Sequence, residues 1–549
     1  MADAWGITDG YWDVDGEWHA TTDETRELLR TAMGEPQPAP GTWFVRQGRT
    51  DGFWNPCRIV LEDGTDLGPL DGLPADLPLG YHRLVPCDGS AAIELVVHPG
   101  RCPELPRTWG VAVQTYALWS ERSWGIGDLR DLRDLAAAVA ARGGGALLMS
   151  PLHQPVPVPP LEPSPYYPSS RKATNPLALA MDAPPPPHLR CDPDALIDRD
   201  AVWVAKLAVW EAEFDELDPA VVAAIEPSTT SWWNARTELS AMAAGDEPSL
   251  DDIDRRAAFH EWLQRRVDLQ LAEVAATGIA VIGDLAVGFS PGGADAAEYA
   301  DVLAPDLRLG APPDPFNADG QDWGIAPFVP WKLRVSGFRP FIETVRAALR
   351  GVQGLRIDHV MGLFRQYLIP AGGSAADGTY VEFPAEELLA ILCLEATRAG
   401  AFVIGEDLGT VSPDVRAMLA DHGIAGTKVL WFEDDDPAEW APNALATVTT
   451  HDLPTIASVF LDEDGSDEMR ERLDVVAPGA MRPTDAIDGA HAALLAAGSR
   501  IRLLTTDDLC ATPRRPNLPG LNDYPSWRVR LPVPVGELAE RLPAPDLVG

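Results

Sequence analysis

Carboxylates stand at the ends of four apolar, strand-like stretches of the sequence. An unpaired carboxylate is costly to bury in an apolar strand, so each acid is expected either to cap the next helix or to face a substrate. Taken singly, each acid leaves both alternatives open. Four acids in the same position, with Arg356 and His451 beside two of them, favour one shared site. The four acids are Asp284, Asp358, Glu406 and Asp452.

This set of side chains suits acid–base and nucleophilic chemistry on a neutral substrate. In glycoside cleavage, one carboxylic acid protonates the leaving oxygen, and a second carboxylate attacks the anomeric carbon to give a covalent intermediate. Flat side chains that could stack on sugar rings occur in loops rich in Gly, Pro and Ser, at Tyr166 in SPYYPSS and Trp323 in GQDWG. Trp431 and Phe432 in LWFE are instead expected to lie in a strand and to belong to the core.

The acids need a scaffold that brings strand ends together, and the sequence beyond residue 105 predicts one. Beyond residue 105, apolar runs alternate with Ala- and Leu-rich helical stretches. This rhythm predicts an α/β protein of the (β/α)8 TIM-barrel type with helical insertions, whose active sites lie at the carboxyl ends of the strands. An open, doubly wound sheet is the alternative. The predicted strands are GVAVQTY (110–116), GALLMSP (145–151), IAVIGDL (279–285), GLRIDH (354–359), FVIGED (402–407), KVLWFE (428–433), ATVTTHD (446–452) and IRLLTTDD (501–508).

Three parts are expected along the chain. Residues 1–41 form an N-terminal helical segment that ends in the Pro-rich linker EPQPAPG. Short alternating runs over 42–104 indicate a small antiparallel β-sandwich module, for which a structural role, sugar binding and oligomerisation remain alternatives. The barrel takes residues 105–549, with a helical insertion around 184–265.

Composition excludes several classes of partner. With a net charge of −40, the chain lacks the basic footprint of a nucleic-acid or anionic-membrane binder. No apolar run approaches the length of a membrane span, and the acidic N-terminus does not resemble a secretory signal. Six scattered cysteines without CxxC spacing predict reduced thiols in a cytoplasmic protein, and the sequence contains no HExxH or Walker motif.

Nine stretches together give the sequence a family resemblance. The chain resembles the 4-α-glucanotransferases known as amylomaltases or disproportionating enzymes, in the α-amylase clan, and its N-terminal part resembles that of the longer bacterial members. The resemblance implies a (β/α)8 barrel that transfers α-1,4-glucan segments between maltooligosaccharides or glucose without a metal or cofactor. The stretches are SWGIGDLRDL, SPYYPSSRKATNPL, VIGDLAVGFSPGGAD, GAPPDPFNADGQDWG, LRIDHVMGLFRQYLIPAG, VIGEDLGTVSPDVR, GTKVLWFE, TTHDLPTIAS and PNLPGLNDYPSWRVRLP.

The resemblance also implies roles for the three central carboxylates. Asp358 would be the nucleophile that carries a β-linked glucosyl intermediate, and Glu406 would be the general acid and then the general base. Asp452 would hold hydroxyls of the donor glucose and distort the ring. A retaining mechanism of this kind requires the carboxyl groups of Asp358 and Glu406 to lie about 5–5.5 Å apart.

Five further residues are implied to bind substrate or to orient the site. Arg356 would keep Asp358 ionised from the same side of the strand, and His451 would assist Asp452. Asp284 would orient the site, Tyr166 would stack on the donor sugar, and Trp323 would line the acceptor side and exclude water.

Two other functions remain as alternatives at this point. A hydrolase of the same clan would use the same carboxylates, with water as the acceptor. A non-catalytic glucan-binding protein would be expected to have lost one of them. One departure from the family is visible, because GADAAEY (293–299) lacks the Trp that often follows the third strand.

Overall fold

A computed structural model describes residues 2–13, 16–242, 247–313, 319–409, 411–521 and 523–544. Part of the predicted GAPPD…GQDWG loop, residues 314–318, lies outside these ranges. The strands are β1 (Gly10–Trp12), β2 (Trp18–Ala20), β3 (Thr42–Arg46), β4 (Gly52–Val60), β5 (Asp66–Gly72), β6 (Gly80–Pro86), β7 (Ile93–His98), β8 (Thr108–Val113), β9 (Ala146–Met149), β10 (His153–Gln154), β11 (Ser170–Thr174), β12 (Ala280–Leu285), β13 (Leu307–Ala311), β14 (Gln321–Asp322), β15 (Gly354–Ile357), β16 (Arg365–Pro370), β17 (Thr379–Glu382), β18 (Phe402–Gly405), β19 (Gly426–Val429), β20 (Ala444–Thr447) and β21 (Ile501–Thr505).

The helices connect and cover these strands. None in the described ranges is both long and apolar enough to span a bilayer. They are α1 (Asp23–Met33), α2 (Leu129–Ala141), α3 (Arg199–Asp215), α4 (Pro219–Ala223), α5 (Thr229–Met242), α6 (Leu250–Ala275), α7 (Ala294–Glu298), α8 (Pro330–Val335), α9 (Arg339–Ala348), α10 (Ala385–Ala399), α11 (Pro413–Asp421), α12 (Ile456–Phe460), α13 (Asp467–Val476), α14 (Pro483–Leu495), α15 (Thr506–Leu509) and α16 (Val535–Glu540).

Eight strands form a nearly closed parallel barrel. Their order in the sheet is β18-β15-β12-β9-β8-β21-β20-β19, so the strand order follows the chain and the first strand, β8, pairs in parallel with the last, β21. The two ends of this order, β18 and β19, are consecutive along the chain. Each of the eight strands predicted from the sequence is present, and the pairing of first with last excludes the open, doubly wound alternative.

The chain divides into two compact units. The first comprises Met1–Glu104, Tyr299–Arg350 and His359–Ile424, and the second comprises Leu105–Glu298, Gly351–Asp358 and Ala425–Gly549.

In the first unit, helix α1 is capped at both ends. The side chain of Thr22 accepts a hydrogen bond from the backbone N–H of Thr25, and Gly34 follows the last turn with a left-handed φ of 72°. Both features satisfy groups that a helix end leaves unpaired.

The stretch predicted to be a β-sandwich is a single five-stranded sheet. Its order is β3-β7-β6-β4-β5, with β3 and β7 parallel and the other pairs antiparallel. All five strands pack side chains against one apolar cluster, so no second sheet is present to make two layers. The buried members of the cluster are Val45, Cys57, Ile59, Leu73, Leu77, Leu84, Leu95 and Val97, and Leu70 of β5 packs against them.

In the second unit, helices α3 to α6 lie between β9 and β12, over residues 199–275. A buried cluster of charges joins two of these helices. The carboxylate of Glu238 accepts hydrogen bonds from Arg256 and pairs with the His260 ring at 2.9 Å.

Most of the expected barrel strands end earlier than the sequence indicates, and at β19 this changes the place of a side chain. The strand β19 ends at Val429, and Leu430–Phe432 form a 3-10 turn. Trp431 is buried, as expected, but Phe432 is 41 % exposed, so its assignment to the core is wrong. The turn breaks the two-residue alternation of a strand and directs Phe432 outward.

Candidate active site

Arg356 joins two of the predicted acids in the second unit. Strands β12 and β15 are parallel neighbours with Asp284 opposite Arg356, and Asp358 directly follows the end of β15. The Arg356 Nη1 atom donates to Asp284 Oδ1 at 2.7 Å and to Asp358 Oδ1 at 3.0 Å. Residues two apart on a strand share a face, so Arg356 meets Asp358 as the sequence predicts.

These two carboxylates have different surroundings. The side chain of Asp284 is 4 % exposed, whereas that of Asp358 is 21 % exposed. Burial raises the pKa of Asp284 above its ordinary value, although the charge of Arg356 opposes the rise. The more exposed acid is therefore the one that a substrate can reach, and the buried one lies beside the cation that orients it.

Tyr166 links the Asp284–Asp358 pair to a second pair, His451 and Asp452. Its phenol donates to Asp284 Oδ2 at 2.7 Å and lies 3.4 Å from Nδ1 of His451. The two rings are stacked, with centroids 4.9 Å apart and planes 26° from parallel. Burial raises the pKa of the Tyr166 phenol well above its ordinary value, and the negative charge of Asp284 adds to this, so the hydroxyl stays a donor.

The His451–Asp452 pair follows β20 by four residues. His451 Nε2 lies 3.2 Å from Asp452 Oδ2, and the Asn517 amide donates to Asp452 Oδ1 at 2.6 Å. Burial by itself would raise the pKa of Asp452, but His451 and Asn517 outweigh it and the pKa is lowered. Burial opposes protonation of His451, yet the charge of Asp452 outweighs that and raises its pKa. The pair therefore favours the ionised carboxylate.

Trp527 packs against Tyr166 and His451, and the sequence analysis predicted no role for this residue. Its ring lies 5.4 Å from that of Tyr166 and 5.2 Å from that of His451. Its backbone has a left-handed φ of 64°, and its carbonyl accepts a 2.6 Å hydrogen bond from the buried Arg199. Trp527 and Asn517 belong to PNLPGLNDYPSWRVRLP, which carried the family resemblance without naming individual residues.

Two further acids lie beyond the last barrel strand. The sequence pattern continued this strand to Asp508, but β21 ends at Thr505 and α15 begins at Thr506. Burial and the charge of Asp508 raise the pKa of Asp507 to about 7, and burial raises that of Asp508 to about 6. Asp508 accepts from the backbone N–H of Ile456 and from the Thr505 hydroxyl, which gives it a structural role at the start of α15.

Glu406 and Trp323 belong to the first unit, together with His359. Glu406 follows β18, and its carboxylate accepts from the backbone N–H groups of His359 at 2.9 Å and Leu408 at 2.8 Å. His359 has a left-handed φ of 46°. Its ring meets Trp323 edge-on with centroids 5.4 Å apart, and the Trp323 indole donates to Gln321 at 3.1 Å.

The predicted residues thus fall into two connected groups. In the second unit, hydrogen bonds join Asp358, Arg356, Asp284, Tyr166 and, through a longer contact, His451 and Asp452. In the first unit, His359 connects Glu406 with Trp323. The separation of about 5–5.5 Å expected between the carboxyl groups of Asp358 and Glu406 stays a prediction. Among the described residues, no three His, Cys, Asp or Glu side chains are grouped to hold a metal ion.

Comparison with known proteins gives a consistent set of relatives. The protein family described as 4-alpha-glucanotransferase matches residues 113–244 and 197–535. The 4-alpha-glucanotransferase of Mycobacterium tuberculosis is 35 % identical, over 98 % of this chain and 94 % of the relative. That of Haemophilus influenzae is 33 % identical, over 70 % of this chain and 66 % of the relative.

Two solved structures share the fold. The amylomaltase from Corynebacterium glutamicum superposes with a TM-score of 0.85 at 31 % identity, covering 98 % of this chain and 96 % of that one. The amylomaltase from Streptococcus agalactiae, solved in complex with acarbose, gives a TM-score of 0.65 at 20 % identity, covering 80 % of this chain and 99 % of that one.

Proposed function

This chain belongs to the family of 4-alpha-glucanotransferases, or amylomaltases, which act on α-1,4-glucans, and from this premise we propose that it works by a retaining double displacement with Asp358 as nucleophile and Glu406 as acid and base. Membership decides between transfer and the hydrolase and binding-protein alternatives. The proposal concerns the residues, the steps and the substrates, which are maltooligosaccharide donors with a glucan or glucose as acceptor.

In the first step, the carboxylate of Asp358 attacks the anomeric carbon of the donor while the carboxylic acid of Glu406 protonates the glycosidic oxygen. The bond from the anomeric carbon to that oxygen breaks, and the reducing-end fragment leaves with the proton on its 4-hydroxyl. The non-reducing fragment remains on Asp358 as an ester. The Arg356 guanidinium at 3.0 Å supports the ionised form that this attack requires.

In the second step, the Glu406 carboxylate removes the proton from the 4-hydroxyl of an acceptor sugar. The acceptor oxygen attacks the anomeric carbon, and the ester bond to Asp358 breaks. Two inversions restore the α configuration. Glu406 ends the cycle as an acid and Asp358 as a carboxylate, so atoms and charges balance without a cofactor.

The remaining residues of the second unit hold the donor sugar. Asp452, with one oxygen bonded by Asn517 and the other by His451, accepts hydrogen bonds from sugar hydroxyls and pulls the ring toward a flattened shape. Asp284 fixes both Arg356 and the Tyr166 phenol. In the first unit, Trp323 offers an indole plane to the acceptor sugar and keeps water from competing with it.

We also propose the division of the chain at residues 41 and 104. Helix α1 ends at Met33, before the Pro-rich stretch, and the five-stranded sheet closes its own core between Thr42 and His98. The first barrel strand begins at Thr108. This self-contained core supports a structural role for the β module.

The observation that carries the mechanism is the bond from Arg356 to Asp358, at the end of a strand in a barrel of this family. The test is to incubate the protein with maltotriose and separate the products by chromatography. Transfer gives glucose together with maltooligosaccharides longer than maltotriose. Glucose and maltose alone, with no longer products, would refute transfer.

The covalent step has its own test. The Glu406→Gln variant is mixed with maltotriosyl fluoride, whose fluoride leaves without acid assistance, and the digested protein is analysed by mass spectrometry. The expected result is a maltotriosyl group on the peptide that contains Asp358. The same group found on a different carboxylate would overturn the assignment.

A further inference from the structure

The N-terminal hairpin has one anchored face. Strands β1 and β2 pair antiparallel with Tyr11 opposite His19 and Trp12 opposite Trp18. Tyr11 is buried and meets the rings of Tyr367 and Tyr380 edge-on, with centroids 5.7 Å and 5.5 Å away. These contacts fix the hairpin to strands β16 and β17 of the same unit.

The opposite face presents two indoles to solvent. Side chains alternate between the faces of a strand, so Trp12 and Trp18 lie on the face that Tyr11 does not use. Trp12 is 65 % exposed and Trp18 is 47 % exposed. Their ring centroids are 5.1 Å apart and their planes are inclined by 58°. A cross-strand aromatic pair stabilises a hairpin, but this one leaves a large apolar area that a ligand can bury.

The charges around the pair select the class of ligand. Residues 2–25 contain no Lys or Arg, whereas acids flank both indoles. Asp13 accepts from the backbone N–H of Glu17 at 2.8 Å and lies 2.7 Å from the His19 ring. Such a surface repels phosphates, nucleic acids and anionic lipids. It suits a neutral ligand with an apolar face for the indoles and hydroxyl groups for the acids.

We propose that Trp12 and Trp18 form a surface binding site for α-1,4-glucan chains, built from residues other than the catalytic ones. The C–H faces of neighbouring glucose units stack on the two indoles, and the inclination of the rings follows the bend of an α-1,4-linked chain. Asp13 and Glu17 accept hydrogen bonds from the outer hydroxyls. The inference rests on the family's action on α-glucans, and not on the assignment of Asp358 or Glu406.

The site is expected to affect the use of long glucans and not that of short ones. A long glucan held at the hairpin keeps its many other glucose units at a high local concentration around the protein. A trisaccharide held there has no further units to present. The hairpin therefore affects the use of amylose or glycogen and leaves the use of maltotriose unchanged.

The test compares Trp12→Ala/Trp18→Ala with a matched control. Trp54→Ala also removes an indole, which is fully exposed on β4, outside the proposed site. Each protein is run by native electrophoresis through gels with and without amylose, and its rate on maltotriose is measured. The double variant is expected to show weaker amylose retardation, with the dissociation constant raised about tenfold, while its catalytic site still binds glucan. The control is expected to keep both properties.

Two results would overturn the proposal. One is unchanged amylose retardation of the double variant. The other is an equal loss in the Trp54→Ala control. A folding defect is recognised separately, because it lowers the maltotriose rate and the melting temperature. Trp18→Tyr keeps a flat ring on a folded hairpin and is expected to retain most of the amylose retardation. A Trp18→Tyr protein that is retarded as weakly as the double variant would therefore also contradict stacking. If the proposed transfer reaction itself were wrong, the unmodified protein would form no longer maltooligosaccharides from maltotriose, whatever its retardation by amylose.

Discussion

Arg356 Nη1 lies 3.0 Å from Oδ1 of Asp358, and the two side chains leave the same face of the strand end. This contact explains how an apolar barrel strand can end in an ionised carboxylate, because the cation offsets the cost of partial burial. The same nitrogen also bonds Asp284, so the chain supplies one cation for two acids.

Replacing Asp358 by Asn is expected to abolish transfer. The amide keeps the shape of the side chain but is not a nucleophile, so kcat/KM on maltotriose should fall at least about 10³-fold. Binding of maltoheptaose, measured by calorimetry, should persist. Asp182→Asn, which neutralises an exposed acid, should leave both measurements unchanged. Full activity of Asp358→Asn contradicts the nucleophile assignment.

Removing the cation tests the contact described above. In Arg356→Met, Asp284 and Asp358 lose their shared partner, so the already raised pKa of Asp284 should rise further. The acid limb of the kcat/KM profile should move to higher pH, with a lower plateau. Arg356→Lys, which restores the charge, should recover part of the shift. Identical profiles for all three proteins would show that the cation has no part in ionisation.

The hydroxyl and the ring of Tyr166 should make separable contributions. Tyr166→Phe leaves Asp284 Oδ2 without its 2.7 Å donor, which costs about 1–3 kcal/mol for a buried acceptor. If that cost falls on the transition state, kcat/KM decreases by about 5–150-fold. Tyr166→Ala also loses the stack on His451 and should be slower than Tyr166→Phe. Equal rates for the two variants would argue against a role for the ring.

Asn517 is expected to set the pH at which Asp452 loses its charge. Its amide helps to lower the pKa of Asp452, so Asn517→Ala should raise that pKa toward its ordinary value. The contribution of this carboxylate is present above its pKa and is lost as the pH falls through it. The variant should therefore lose activity at a higher pH than the parent on the acid side. A pH–rate series on maltotriose measures this, and a uniform fall at every pH would point to lost sugar binding instead.

Glu238 should matter for stability and not for chemistry. Burial acts to raise its pKa, but Arg256 and His260 outweigh burial and lower the pKa to about 2. Its stabilising effect is complete above the unfolded-state pKa and is lost as the pH falls toward about 2. Glu238→Gln should reduce the free energy of unfolding at pH 7 by about 1–3 kcal/mol, because the half-buried Arg256 keeps Glu211 as a partner at 2.6 Å but loses its hydrogen bonds to the Glu238 carboxylate.

Urea unfolding at two pH values checks this prediction. The difference between Glu238→Gln and the parent should narrow near about pH 3, where the unfolded-state carboxyl is protonated. Glu213→Gln removes the partly exposed partner of Arg266 and should change stability by less than about 1 kcal/mol. A difference that does not depend on pH would assign the loss to packing alone.

The sequence was informative where function depends on local spacing. Arg356 and Asp358 are two residues apart, so strand geometry alone predicts their shared face. The barrel strands were predictable for a similar reason, because apolar runs between helical stretches can be recognised from the local periodicity of the sequence. Local periodicity therefore suffices to place Asp358 and Glu406 directly after their strands, whereas Asp452 lies five residues beyond the end of β20.

Contacts between distant segments could not be predicted. Trp527 reaches its place through a left-handed φ and a hydrogen bond from Arg199, 328 residues earlier. Asn517 lies in a segment with no helical or strand pattern, so nothing in the local sequence directs its amide to Asp452. The parallel pairing of β3 with β7 joins strands that are far apart in the sequence. Local sequence does not predict such a pairing, and this is why the region is a single sheet and not the expected sandwich.

The pairing of the first barrel strand with the last has a consequence for synthesis. The strand β8 ends at Val113 and β21 begins at Ile501. At about 5–20 residues per second, roughly 20–80 s separate the emergence of the two strands from the ribosome. Through that interval the nascent chain carries an unpaired β8 edge, which is a template for wrong pairing. Expression yield should therefore depend on translation speed and on chaperones that cover this edge.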